Sequence, residues 1–335
     1  MRQFAAIILL FALAACTGNS DGEAPGPVMF EHTSQGTLFV ANKRGASLSR
    51  IDIANGEETH RASTCENPHE LTVSPDETQV MVACYSGTSV EIYSTADLAQ
   101  VSQIELGENA RVHAALWLED GRVVAGGEGR GSLLVIEGAG TGEPEVSEVG
   151  GGGPGAHLLA VDEAAEQVWG TIISEGAVVR YDIASGRELS RTVVGEDIEA
   201  IALSPGGADL WVSSNSASIA FRLDPETLET RARVPTGAVP IRLAMHPSGD
   251  FVVSSNFGSG DLSVIDTATN TVVRTIPVSG SQEAMQVTLV FSEDGRRLYA
   301  AETASDTIAE IDFATGEVLR RLPTGPGGDG LAIVN

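Results

Sequence analysis

Three of the six histidines, His69, His113 and His157, recur at intervals of 44 residues, and Glu199 follows 42 residues later. Regular spacing of this kind puts like residues at one structural position of a repeated unit. A neutral imidazole offers one ring nitrogen to a metal ion. Three imidazoles and a carboxylate complete the tetrahedral set that zinc accepts, and copper or manganese use related sets. The series continues through Ile241, Val287 and Asp329, while Glu70 and Arg242 lie one position further along their own units. Imidazoles at such a position also serve simply as hydrogen-bond partners of loop backbone and water. His32, His60 and His246 fall outside the series, in an N-terminal tether, an outer strand and a turn, and are read as incidental.

The unit that must position these groups is clearest from Phe251 to Val278, where FVVSSN, DLSVID and TVVRTIPV are separated by Gly/Ser and Ala/Thr/Asn turns. Short β-rich runs between turn residues indicate a strand meander. A further strand, IRLAMH, precedes them and is followed by Pro247-Ser248-Gly249. The residue closing the third strand of each unit is Asp52, Ser94, Glu137, Asp182, Asp224, Asp266 and Asp312, with spacings of 42, 43, 45, 42, 42 and 46. The turn after the first strand gives a second register, Pro75, Glu119, Glu163, Pro205, Pro247 and Glu293, with spacings of 44, 44, 42, 42 and 46. Both registers imply seven four-stranded units, the period of propeller blades.

The stretches VIDTATNTVVRTIPV (264–278), LFVAN (38–42) and LTVSPDE (71–77) resemble the YVTN family of β-propeller repeats, over about residues 36–335. The third and fourth units depart from that pattern, where VIEGAGTGEPEVSEVGGGGPG (135–155) replaces the I-D-T motif with glycines. The resemblance implies an all-β, seven-bladed propeller with four antiparallel strands per blade. It implies little about activity, because such scaffolds carry unrelated functions.

Polarity orders the strands within a blade. First strands such as LLAV and TLVF are apolar throughout and suit the enclosed innermost position. Fourth strands such as RELSRTV and EVLRRLP are charged, as exposed edges should be. The chain enters at Thr37 on a second strand and finishes with a first strand left over, Gly330 to Val334. The C-terminal strand is therefore expected to complete the N-terminal blade and close the ring. Trp117, Trp169 and Trp211 fall on first or second strands and read as core.

Residues 1–15 read as an export signal, with Arg2 as the basic end, Phe4 to Leu13 as the apolar stretch and Ala14-Ala15 before the cleavage point. Leu13-Ala14-Ala15-Cys16 resembles the bacterial lipoprotein lipobox, which implies lipidation of Cys16 and attachment to a membrane of the cell envelope. Thr17 resembles the pattern of lipoproteins sent to an outer membrane, in a Gram-negative host. Residues 16–35 have the Gly, Pro, Ser and acidic composition of a flexible tether. On this reading the propeller lies outside the cytoplasm.

Removing Arg2 with the signal leaves 46 acidic residues against 19 basic ones, a net charge of −27. A field of that sign repels nucleic acid and gathers cations. Lys43 is the only lysine. With Cys16 lipidated, Cys65 and Cys84 remain, at strand ends on one face of adjacent blades. A disulfide between them is expected in an exported protein, the alternative being thiolates of a soft-metal site.

No serine sits in a G-x-S-x-G elbow, the Gly150 to Gly153 run lacks the lysine of a phosphate loop, and the D-x-D-G calcium pattern is missing. Three readings follow. The first is a non-enzymatic envelope protein that binds a metal ion or small ligand at the channel mouth, similar in layout to periplasmic zinc-chaperone propellers. The second is a metal-dependent lyase or lactonase with Glu70 as base and Arg242 as electrostatic clamp. The third is a platform for an envelope protein partner.

Overall fold

The computed structural model describes residues 35–150, 154–164 and 166–334. The signal segment, Cys16, all of the tether but its last residue, His32 and part of the Gly150 to Gly153 run lie outside the described residues. The described chain forms seven four-stranded antiparallel sheets arranged as the blades of a seven-bladed β-propeller.

Blade 1 joins the two ends of the propeller. Its sheet runs from Gly328–Val334 to Thr37–Asn42, Ser47–Asp52 and Glu57–Ser63, so the C-terminal strand is innermost and pairs with the strand that opens the propeller. Leu38 lies opposite Ile333 and Phe39 opposite Ala332. Blades 2 to 7 are consecutive and begin with the inner strands Pro68–Val73, Val112–Trp117, Leu159–Asp162, Ile198–Leu203, Pro240–Met245 and Gln286–Phe291.

The second strand of each blade is buried on both faces, which accounts for its unbroken apolar runs. In Thr37–Asn42, Leu38 and Val40 pack toward Tyr299, Ala301 and Ile308 of blade 7, while Phe39 and Ala41 pack toward Val80, Val82 and Tyr93 of blade 2. Trp169 and Trp211 are likewise buried, and Trp117 partly so. The core is thus a set of layers between blades. Arginines add polar links across these layers: Arg50 donates to the Thr95 carbonyl, Arg222 to that of Thr267 and Arg320 to that of Ile53. Outer strands such as Glu57–Ser63 and Glu145–Gly150 are largely exposed.

Cys65, just past the outer strand of blade 1, is joined to Cys84, the last residue of the second strand of blade 2. Glu91 accepts hydrogen bonds beside this bridge from the Cys65 amide at 2.9 Å and the Tyr93 hydroxyl at 2.7 Å. His246 is packed on its ring faces and edges by Phe313, Phe291 and Phe251.

Candidate functional site

Six of the seven inner strands carry the same irregularity, and it falls at the histidine position. Pairing with the second strand shifts between Pro68 and Leu71, Val112 and Ala115, Ile198 and Ile201, Pro240 and Arg242, Gln286 and Leu289, and Gly328 and Leu331. A bulge bends the strand and re-aims the side chains it carries. Here it lets adjacent residues serve different partners: His69 packs on His113, while Glu70 pairs with Arg242 from blade 6. Blade 4 has no such shift, because its inner strand begins at Leu159 and His157 precedes it, held by its amide to the Thr171 carbonyl at 2.8 Å. A glycine is required where the bulges crowd. A Cβ on Gly330 would stand 2.0 Å from the His69 carbonyl oxygen.

The three histidines form a continuous run of ring contacts, edge-on between His69 and His113 and tilted between His113 and His157. The ring centroids of His69 and His113 are 4.4 Å apart, and those of His113 and His157 are 3.8 Å apart. All three are buried. His69 Nδ1 lies 3.1 Å from the Asn67 carbonyl, and His157 Nδ1 lies 3.0 Å from Glu128 Oε2. His157 Nε2 faces Glu199 Oε1 at 3.5 Å. His113 Nδ1 is buried with no hydrogen-bond partner. Among the described residues, the trio of His, Cys, Asp or Glu whose ligand atoms all lie within 4.8 Å of one another is Cys65, Cys84 and Glu91, with its two sulfurs bonded; no three of His69, His113, His157 and Glu199 meet that spacing, so one ion shared by them requires their side chains to turn toward it.

The carboxylates of the series are tied to cations. Arg242 donates from Nη1 to Glu199 Oε1 at 2.7 Å, and from Nε and Nη2 to Glu70 Oε1 at 3.2 Å. Lys43 Nζ lies 3.1 Å from Asp329 Oδ2. Ile241 and Val287 complete the ring of positions without polar groups.

A second repeated position was not identified from the sequence, although the same register reveals it. The residue that follows the second strand is Lys43, Tyr85, Glu128, Ile173, Asn215, Phe257 and Thr303 in blades 1 to 7. Four of these seven support the first series. Lys43 reaches Asp329, Glu128 holds His157, and Asn215 donates to Glu199 Oε2 at 2.5 Å. The Tyr85 ring lies 4.6 Å from that of His69, and its hydroxyl contacts Glu128 and Arg111. Their types differ too much for composition alone to pick out the column.

Protonation separates the histidines. Burial lowers His69 to about 4, helped by the nearby Lys43 charge, and burial with neighbouring imidazoles pushes His113 well below the ordinary value. Burial alone would lower His157 too, but its bonds to Glu128 and Glu199 outweigh that and raise it. Burial opposes ionisation of Glu199, yet His157 and Arg242 hold it down at about 2. The site therefore combines two neutral imidazoles, a third that retains its proton more strongly, and an ionised carboxylate.

No protein-family model matches the chain. A stretch of 106 residues is 35% identical to Antigen Lp49 of Leptospira interrogans serogroup Icterohaemorrhagiae serovar copenhageni, spanning 31% of this chain and 22% of that protein. Among solved structures the chain is similar to Kuenenia stuttgartiensis hydrazine synthase, with a TM-score of 0.72 at 18% identity over 83% of this chain and 93% of that one. It is also similar to dihydro-heme d1 dehydrogenase NirN in complex with DHE, with a TM-score of 0.65 at 15% identity over 91% of this chain and 76% of that one. Identities this low carry the propeller fold and nothing of activity.

Proposed function

We propose that the protein is a non-enzymatic binding protein of the cell envelope, a YVTN-type propeller tethered through a lipidated Cys16, that holds a transition-metal ion at His69, His113, His157 and Glu199. The carrying observation is the way His69 and His157 are held. Each has its Nδ1 engaged, one by the Asn67 carbonyl and one by Glu128. A carbonyl on one ring nitrogen fixes the tautomer that leaves the other nitrogen free for a metal, as at His69, while His157 Nε2 faces Glu199 Oε1 at 3.5 Å, so a metal there would take the place of that ion pair. His113 adds a buried ring nitrogen that lacks a partner, a further feature that fits a ligand set. Zinc suits three imidazoles and a carboxylate, with copper or manganese as the other candidates. Binding would release the proton that His157 retains.

The lyase reading needs Glu70 as a free base, whereas Glu70 is bonded to Arg242; no comparable observation favours it. The test is the metal content of the untagged whole chain after dialysis without chelator, beside a His69→Ala, His113→Ala, His157→Ala variant. About one equivalent in the parent and none in a folded variant supports the proposal. Two empty proteins that stay empty when offered zinc, copper and manganese overturn it.

A further inference from the structure

Two residues beyond the histidine position, six of the seven inner strands contribute an aliphatic residue to one cavity. Leu71, Ala115, Leu159, Ile201, Leu243 and Leu289 line a partly open space of about 150 Å³. A cavity of about 150 Å³ lined by aliphatic and aromatic side chains takes a benzene molecule. Its polar lining residues are Glu70, paired with Arg242, and Thr288.

The hydrogen bonding of these polar residues selects the ligand. Arg242 uses four of its five N–H donors, Nε and Nη2 on Glu70 Oε1 and Nη1 on Glu199 Oε1 and the Ile241 carbonyl. Glu70 has hydrogen bonds to Oε1 alone, so its second oxygen is free to accept. Thr288 is buried at 6% exposure, and its hydroxyl has no partner. Arg242 stands between the carboxylates of Glu70 and Glu199, and His157 faces Glu199 rather than Glu70. An ammonium complements the open Glu70 oxygen, whereas a carboxylate ligand would meet it with a second acceptor and no proton to share.

We propose that the chamber binds a small organic amine, with its ammonium at Glu70 and Thr288 and its apolar body within the ring of aliphatic side chains. Pockets that combine apolar walls with a few convergent polar groups bind small ligands in this orientation-specific way. The inference does not depend on metal binding.

Calorimetric titration of the whole chain in EDTA, which keeps metals out, tests it with benzylamine, benzyl alcohol and benzoate as probes. Benzylamine is expected to bind one to one, about tenfold or more tighter than benzyl alcohol, because the charge-assisted bond to Glu70 is lost in the alcohol. Benzoate is expected not to bind. Ala115→Leu fills the chamber and should abolish binding, and the near-isosteric Thr288→Val should weaken it several-fold if the larger substitution fails to fold. Benzoate binding as tightly as benzylamine, absence of benzylamine binding, or benzylamine affinity unchanged in folded Ala115→Leu or Thr288→Val overturns the proposal.

Discussion

Lys43 lies 3.1 Å from Asp329, and the two residues reach the same blade from opposite ends of the propeller sequence. The Lys43 amide also bonds the Gly327 carbonyl at 2.8 Å. This ion pair therefore links the closing strand pair to the charges of the histidine site.

Replacing Lys43 with Met should destabilise the fold by about 1–3 kcal/mol. Asp329 is 1% exposed, and no hydrogen bond satisfies either of its oxygens, so losing Lys43 leaves a buried carboxylate unpaired. The lysine is itself part-exposed, which keeps the effect below that of a fully buried pair. Urea denaturation measures it, and adding Asp329→Asn should restore part of the loss. An unchanged midpoint in the single variant would contradict the pairing.

Deleting residues 328–335 should unfold the whole propeller rather than trim it. The strand supplies the inner edge of blade 1, and Leu331 packs with Val287 and Tyr299 of blade 7. Opening a closed ring exposes strand edges and inter-blade core together. Circular dichroism of the truncated chain is the check; a cooperative melt within a few degrees of the parent would refute the closure argument.

Replacing Cys65 and Cys84 together with Ser should cost about 2–4 kcal/mol, since the bridge closes a loop of sequence separation 19 between neighbouring blades. Unreduced protein should also show neither thiol in a titration under denaturant. Two reactive thiols there, or identical stability of the double variant, would remove the bridge from the account.

Much of this was legible because repetition writes the same constraint several times. The Asp52 to Asp312 spacings give the blade count, and apolar runs such as FVVSSN mark strands enclosed on both faces. Histidine at 69, 113 and 157 stood out because one residue type filled one register. The pairing shift beside those histidines was not legible, since a bulge depends on hydrogen bonds that leave no fixed residue signature. Nor were Tyr85, Glu128 and Asn215, which occupy one position with unrelated side chains. Glu70 and Arg242 were both noted, but only the ring geometry brings residues 172 positions apart into contact.

Stability should fall as pH drops from about 6.5 toward 4. His69 has a folded value of about 4 against an ordinary 6.5, so the unfolded chain takes up its proton first and that contribution is lost through this window. It amounts to about 3 kcal/mol, and His113 acts in the same direction. His157 acts oppositely. Its raised value makes its contribution complete below 6.5 and fading as pH rises through the folded value. Urea midpoints between pH 4 and 7 should therefore rise with pH, and His69→Gln should flatten the slope. A variant with the parent's slope would exclude His69 as a source.

The most direct test of the metal site is anomalous diffraction from crystals of the whole chain grown with zinc. One strong peak is expected within bonding distance of ring nitrogens of His69, His113 and His157 and a Glu199 oxygen, absent from crystals of the triple alanine variant. Well-ordered crystals of the folded chain with no peak among these residues would contradict it.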